Sequence, residues 1–416
     1  MILFVTVHYF ALQNMFLLSR DLLYGDHSGE TIQPAPVYGF FRLPEKRPMR
    51  LVHADNRLAL DFAQIYFPSK AFNDLSKNYR IGEYDPFDRP SRYPPFFHYL
   101  CAISYCRLDY GPASLAHLYI QLLLFYMAFT SAFFILKITR HLPLGILLVS
   151  AGLFLTPAGL SWFERGQFSL YVAMAYLFVI LGVLKRQPLF FLLGGLFAFI
   201  KWTSFPTIFV ILATFLIASG NFRRFKENVY LVSPFVVIIL LLLVIFPKNS
   251  YYFIQGLYRQ ETLAQPGGFS LVKILPVGFI KLLPFALIVL GSVHVRKYAG
   301  NMAECLAFFT GVGILMLLYP TLVFEYGVST LFGFIPLIMY WVELRATDGR
   351  AIPRSAMKYI FFVFLLAASY SPTLVKFFKT EHAMYWVYGL TAAIFLFIPL
   401  APGFQRVNTD AVPNIT

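Results

Sequence analysis

The sequence predicts an all-α polytopic membrane protein with about ten transmembrane helices and one re-entrant pair of half-helices. Of its 416 residues, 58% are apolar and only 13% are charged, whereas soluble domains average roughly 45–50% apolar and about 25% charged residues. Runs such as residues 229–246 carry no charge and are close to the ~20 residues that cross a bilayer core. These observations exclude an ordinary soluble enzyme and a disordered or collagen-like chain.

The apolar runs define the order of the predicted spans. The first run, residues 1–18, has no basic start and no small-residue cleavage site after it, so we expect a retained first transmembrane helix over residues 1–19. Nine further runs predict the remaining spans, at residues 114–136, 142–163, 168–184, 229–246, 274–295, 303–324, 328–344, 356–375 and 384–400. The predicted membrane domain covers residues 114–402, with an outer loop at residues 247–273, and a cytoplasmic tail follows at residues 403–416.

One apolar run, residues 188–218, is interrupted by Lys201, Trp202 and Pro206. It is too long for one comfortable span and too short for two, so it predicts the re-entrant pair. Broken helices occur in membranes where their ends are buried in protein or line a cavity. An ammonium group inside an apolar run is costly, which makes Lys201 a candidate functional residue; snorkelling to the lipid headgroups is the alternative.

Basic residues predict the orientation. With the amino terminus inside, the inner loops hold fourteen Lys and Arg residues and the short outer loops hold six. This bias follows the positive-inside rule, and it requires residues 188–218 to return to the side on which they start. We therefore expect a multi-pass protein of the cell (inner or plasma) membrane with both termini cytoplasmic. The net charge of +14 lies beside apolar runs, so no nucleic-acid partner is expected.

Residues 20–113 form a predicted outer segment that holds eleven of the twenty acidic residues. Apolar residues in 58–75 and 96–108 have the spacing of amphipathic helices on a membrane surface, and Pro94-Pro95 predicts where the second helix begins. Asp61 lies on the first helix. A carboxylate held beside apolar groups near a bilayer can act as a general base; a solvated carboxylate or a helix cap is the alternative.

Between these two helices, residues 82–96 alternate aromatic rings with acids and arginines. Sugar sites use rings to stack on sugar faces and charged groups to bind hydroxyls, so Tyr84, Arg92 and Tyr93 are candidate sugar-binding residues. A proline-rich surface loop explains the same composition equally well.

Five short motifs, in order over residues 55–210, resemble glycosyltransferase family 87. The stretch Asp61-Phe-Ala-Gln-Ile-Tyr66 is similar to the family's D-F-x-x-Y-Y-x-A-A motif. The other four matches are Gly82 to Asp88 (the G-x-x-P-Y turn), Arg92 to Phe96 (Y-P-P), Gly166-Gln167 (the G-Q/N step) and Ala198 to Pro206 (the helix break with Lys201).

The family belongs to the GT-C superfamily of membrane enzymes that use polyprenyl-phosphate sugars. The resemblance implies inverting transfer of a sugar, with mannose or arabinofuranose expected, to an acceptor hydroxyl on the outer face. It implies Asp61 as the catalytic base, with Asp55 as the runner-up because residues 21–56 are longer than the family's usual approach. The expected donor-binding residues are Lys201, Gln167 and Arg165, and Tyr66 joins the candidate sugar- or acceptor-binding residues.

Expected partners follow from this chemistry. They are the lipid-linked sugar donor, membrane lipid, and a glycolipid, polysaccharide or protein acceptor. No cofactor or metal is expected, because a lysine can balance the lipid phosphate and Asp85 and Asp88 fit a turn better than a metal site. The three cysteines, Cys101, Cys106 and Cys305, indicate neither a metal site nor a disulfide framework. A transporter or flippase, or a polymerase, for lipid-linked sugars is the alternative function.

Overall fold

The computed structural model describes residues 2–24, 59–82, 84–85, 89–217, 221–263, 267–268, 270–273, 275–297, 305–320, 322–323, 325–346 and 382–397. This part of the chain is almost entirely helical, as predicted. Asp55, Asp88, the predicted span at residues 356–375 and the predicted tail at residues 403–416 lie outside the described residues.

The helices follow one another closely along the chain. They are α1 (Ile2–Tyr24), α2 (Leu60–Lys70), α3 (Leu75–Ile81), α4 (Pro95–Ile103), α5 (Tyr110–Ile135), α6 (Leu142–Leu155), α7 (Pro157–Arg165), α8 (Ser169–Lys185), α9 (Pro188–Ile200), α10 (Phe205–Ile217), α11 (Phe222–Val244), α12 (Pro247–Leu263), α13 (Val277–Lys297), α14 (Leu306–Leu317), α15 (Ile335–Ala346) and α16 (His382–Phe397). A 3-10 helix, Glu325–Phe334, precedes α15, and two short parallel strands, β1 (Gly267–Gly268) and β2 (Leu322–Val323), pair with each other.

Several helices have the length and composition of membrane spans. Within the described residues, five helical segments are long and apolar enough to cross a bilayer. They are Ile2–Arg20, Tyr110–Ile135, Phe222–Val244, Val277–Val295 and Gly327–Leu344. Shorter apolar helices, including Ser169–Lys185 and Leu306–Leu317, overlap several other predicted spans. The count of about ten spans stays a prediction.

The interrupted run forms two helices that turn back on each other. Helix α9 ends at Ile200, a short 3-10 turn covers Trp202–Ser204, and α10 begins at Phe205. At the far end of α10, the Phe215 ring lies 5.9 Å from the Phe191 ring, and the Arg186 guanidinium lies 5.8 Å from the Phe215 ring. The end of α10 therefore returns to the start of α9, as the predicted pair requires, and Lys201 lies at the tip.

Basic residues gather at the end of the helices that lies away from this tip. Arg186, which follows α8, lies 3.9 Å from Glu227 in the first turns of α11, near Arg223 and Arg224. The 17 residues of α8 separate Arg186 from Gln167, a distance of about 25 Å along the helix axis. The basic loops and the residues before α8 thus occupy opposite ends of the helical bundle.

The predicted outer segment forms its helices, but one of them differs from expectation. Residues 61–66 of α2 are all buried, so α2 lies inside the protein and the prediction of an amphipathic surface helix is wrong there. The reason is that α2 packs between α4, α5 and α7 and is thereby covered on several sides. Helix α4 begins at Pro95 after Pro94, as predicted, and keeps an exposed apolar face.

The expectation for the cysteines is also corrected. Cys101 in α4 and Cys106 in the following 3-10 turn form a disulfide, with their Cα atoms 5.0 Å apart. The turn Tyr105–Arg107 reverses the chain directly after α4 and brings the two Sγ atoms together, which spacing along the sequence did not indicate. Cys305 is buried and outside this disulfide.

Candidate functional site

Asp61 is held in the first turn of α2 by an unusual backbone. Ala59, the residue before the helix, is buried and has a left-handed conformation, with φ of 63°. Its carbonyl accepts a 2.7 Å hydrogen bond from the Tyr110 hydroxyl. A left-handed non-glycine residue is strained and persists where its surroundings fix it. This anchor determines the direction in which α2 starts and hence the position of Asp61.

The Asp61 carboxylate binds three side chains from distant parts of the chain. Arg165, at the end of α7, contacts it twice, with Nε 2.7 Å from Oδ2 and Nη2 3.4 Å from Oδ1. Gln167 donates its side-chain amide to Oδ2. Arg89 places Nη1 3.4 Å from Oδ1. Asp61 is therefore a buried, ion-paired carboxylate, and neither a solvated residue nor a helix cap.

Lys201 belongs to the same network through Gln167. Its Nζ atom donates a 2.7 Å hydrogen bond to Gln167 Oε1. The alternative of a lysine that snorkels to lipid headgroups is thus excluded for this conformation, because the ammonium points to the protein interior. Four of the predicted site residues, from three separate segments, meet at one place.

The cations control the ionisation of Asp61. Burial by itself raises the pKa of this carboxyl, but Arg165, Arg89 and Lys201 outweigh burial and hold the pKa below its ordinary value. Asp61 is therefore ionised at neutral pH.

A second carboxylate orients Arg89. Asp85, also buried, accepts from Arg89 Nε at 2.8 Å and Nη2 at 3.0 Å. Within the described residues, the charged side chains that interact around Asp61 comprise four cations and two carboxylates, a net charge of +2: Arg89, Arg92, Arg165, Lys201, Asp61 and Asp85. The arrangement is suited to an anionic ligand. Sequence reasoning assigns Asp85 to a turn or a metal site and does not select Arg89.

Gln121 was also missed by sequence reasoning, yet it supports Gln167. From α5, its Nε2 donates to the Gln167 carbonyl at 2.7 Å, and its Oε1 accepts from the Leu170 amide at 3.0 Å. The Trp162 indole also donates to this Oε1 at 3.3 Å. A buried glutamine in a transmembrane helix is a signal that could have identified it.

Gly166 permits the sharp step between α7 and α8. It has φ of +62°, and a Cβ atom built there would lie 2.9 Å from the Cβ atoms of Ala59 and Phe62. Glycine adopts this conformation without steric cost. The close approach places Gln167 directly beside the start of α2, and it explains why glycine occupies position 166.

The four predicted sugar- or acceptor-binding residues do not form one group. Tyr66 points away from Asp61, and its hydroxyl donates to the Leu108 carbonyl at 2.9 Å. Tyr93 is buried against the Phe168 ring, at 4.2 Å between centroids, next to Gln167. Arg92 is exposed and lies within electrostatic range of Lys201. Tyr84 is half-buried and directly precedes Asp85. Thus Tyr93, Arg92 and Tyr84 lie around the site, and Tyr66 does not.

Within the described residues, no cluster of three or more His, Cys, Asp or Glu side chains has the geometry of a metal site. Asp61 and Asp85 both accept hydrogen bonds from Arg89.

No protein family, curated protein or solved structure was found to match this chain. The resemblance to glycosyltransferase family 87 therefore stays a prediction from short motifs.

Proposed function

We propose that this membrane protein is a glycosyltransferase that transfers a sugar, mannose or arabinofuranose, from a polyprenyl-phosphate donor to an acceptor hydroxyl. The observation that carries the proposal is the meeting of Asp61 with Arg165, Gln167 and Lys201. A carboxylate base beside several cations matches the two needs of this reaction, which are removal of a proton and stabilisation of a phosphate leaving group.

The Asp61 oxygens have different environments, and this difference supports a role for one of them. Oδ2 accepts the 2.7 Å bond from Arg165 and the bond from Gln167. Among the described residues, Oδ1 has two contacts of 3.4 Å, to Arg165 and Arg89, which are longer than good charge-assisted hydrogen bonds. Oδ1 is the oxygen that can be released to accept a proton.

Donor binding would activate this base. A lipid phosphate that binds Arg89, Arg165 and Lys201 neutralises part of the positive charge that stabilises the Asp61 carboxylate. Burial then dominates and raises the pKa of the carboxyl, because the same cations are what lower it in the empty site. The carboxylate becomes a stronger base only when the phosphate is present.

The transfer step then balances without a further reactant. The acceptor hydroxyl gives its proton to Asp61 Oδ1 as its oxygen attacks the anomeric carbon of the donor sugar. The bond between that carbon and the phosphate oxygen breaks, and polyprenyl phosphate leaves as an anion. Attack from the side opposite to the leaving group inverts the anomeric configuration. The cations around Asp61 stabilise the negative charge that develops on the phosphate.

The side of the membrane is part of the proposal. The site lies at the bundle end opposite to Arg186, Arg223 and Arg224, and basic loops favour the cytoplasm. A site on the outer face of the plasma membrane, with both termini on the cytoplasmic side, agrees with this charge distribution. The Cys101–Cys106 disulfide in the same segment is also typical of an oxidising compartment.

The test is sugar transfer by the purified full chain from a synthetic short-chain polyprenyl-phosphate sugar to membrane extract. Asp61→Asn keeps the size and hydrogen-bonding capacity of the side chain but cannot accept the proton. We expect a loss of activity of about 100-fold or more, with donor binding retained.

Asp109→Asn, at an exposed carboxylate just before α5, is the matched control and should keep full activity. Asp55→Asn tests the runner-up. Full activity of Asp61→Asn would refute the mechanism. Donor movement across proteoliposomes in the absence of any transfer would favour a flippase.

A further inference from the structure

A cleft of about 630 Å³ lies beyond the far end of α2 from Asp61. One wall is the end of α2 and the turn after it, and the other is the end of α4 and the disulfide turn. Among the described side chains, the lining residues include two cations and no carboxylate: Ser69, Lys70, Ala71, Phe72, Asn73, Ala102, Cys106 and Arg107. The site proposed for sugar transfer uses none of these residues.

The cleft lies at the level where membrane spans begin and end. Arg107 is three residues before Tyr110, at which the candidate span of α5 starts. On the opposite wall, Phe72 packs 5.1 Å from the ring of Phe246, just after the candidate span of α11. The cleft is therefore positioned at the height of the lipid headgroups.

An exposed apolar rim borders the cationic cleft. Tyr99, Leu100, Ile103 and Leu108 are 37–47% exposed although all are large and apolar. The Tyr99 ring packs 5.7 Å from the ring of Phe72, which lines the cleft. Apolar side chains beside cations are the pattern of a protein surface that meets acyl chains and headgroups together.

Both walls are held in place. His98 of α4 hydrogen-bonds Ser69 at 3.1 Å on one wall, and the Cys101–Cys106 disulfide fixes the turn that carries Arg107 on the other. The Lys70 ammonium lies 4.4 Å from the centroid of the Tyr66 ring, which orients it. The two segments that carry Lys70 and Arg107 are thus tied to α4.

We propose that this cleft binds the headgroup of an anionic phospholipid, with its phosphate between Lys70 and Arg107 and its acyl chains along Tyr99, Leu100 and Ile103. The positive charge of Lys70 and Arg107 complements a phosphate, and the cleft lies at the ends of two candidate spans. Both features favour this ligand. A lipid bound here stabilises the packing of α2 and α4, two helices of the outer segment, against the ends of α5 and α11.

Lipid binding to the full chain in detergent, measured by native mass spectrometry, tests the proposal independently of any transfer activity. The probes are phosphatidylglycerol, phosphatidylcholine and soluble glycerol phosphate. Each cation near a membrane surface contributes about fivefold to binding of anionic lipid. We therefore expect tighter binding of phosphatidylglycerol than of phosphatidylcholine, by about tenfold or more.

The double variant Lys70→Gln/Arg107→Gln should lose this preference. The matched control Arg80→Gln/Lys248→Gln removes two exposed cations at the same end of the bundle but outside the cleft, and it should keep the preference. If the double variant does not fold, Arg107→Gln alone should lose about fivefold.

Three results would overturn the proposal. They are equal binding of the two lipids by the natural chain, an equal loss in the control variant, and displacement of phosphatidylglycerol by an equal concentration of glycerol phosphate. The last result would identify a site for soluble phosphate instead of a lipid.

Discussion

The Lys201 ammonium reaches Asp61 through one side chain: its Nζ atom donates to Gln167 Oε1 at 2.7 Å, and the amide of Gln167 donates to Asp61 Oδ2. The two charged residues are 140 positions apart in the sequence. Gln167 therefore couples the tip of the α9–α10 pair to the start of α2. A substitution at Asp61, Gln167 or Lys201 changes the hydrogen bonding of the other two residues.

Replacement of Lys201 tests this coupling. Lys201→Met removes a cation that lowers the pKa of Asp61, so the pKa should rise and the acidic limb of the pH profile of kcat/KM should move to higher pH. Donor affinity should also fall. Lys201→Arg should restore part of both properties. Unchanged donor binding and an unchanged pH profile in Lys201→Met would remove Lys201 from the site.

Gly166 should not tolerate a side chain. Gly166→Ala places a methyl group at φ of +62° and 2.9 Å from the Cβ atoms of Ala59 and Phe62. The left-handed conformation alone costs about 1–2 kcal/mol, and the contact adds to it. We expect a lower Tm and a loss of transfer activity. Gly278→Ala is the control, because a Cβ atom there meets nothing within 4 Å; a similar effect of both changes would contradict the explanation.

Gln121 should act as a positioning residue for Gln167. Gln121→Glu retains an oxygen for the Leu170 amide and the Trp162 indole but loses the donor to the Gln167 carbonyl. Gln121→Leu loses these three bonds and the 3.4 Å contact with His117, and each buried group left without a partner costs about 1–3 kcal/mol. The leucine variant should therefore be the less stable.

Kinetic measurements distinguish a positioning role of Gln121 from a purely structural one. In the glutamate variant we expect kcat to fall and the pH profile to shift, since Gln167 no longer holds Asp61 and Lys201 in register. A glutamate variant with lower Tm but unchanged kcat and pH profile would assign Gln121 a structural role alone.

The sidedness of the site can be measured in intact cells. With the buried Cys305 retained and the disulfide pair left intact, single cysteines are introduced at Arg92 and at Arg224, both exposed positions at opposite ends of the bundle. A membrane-impermeant maleimide should label Cys introduced at position 92 and spare position 224. Labelling of position 224 alone would place the site in the cytoplasm and refute outer-face transfer.

The sequence alone predicted a helical membrane protein and several residues that the structure brings together around Asp61. Membrane helices are predictable because the cost of moving a segment into lipid depends mainly on its own apolar residues. The break at Lys201 could be predicted for the same reason, since a charge and a nearby proline interrupt an apolar run locally. Asp61, Arg165 and Gln167 came from short motifs, and the structure brings all three together.

Only the tertiary structure decided which partners these residues have. Arg89 contacts Asp61 and Gln121 contacts Gln167 across separations of 28 and 46 residues, which no local pattern encodes. Helix α2 has enough apolar residues for a surface helix, and its burial depends on what packs around it. Burial and charge pairing are properties of neighbours in space. The sequence therefore determined which helices form, and the packing of those helices determined that Asp61 is a buried carboxylate among cations.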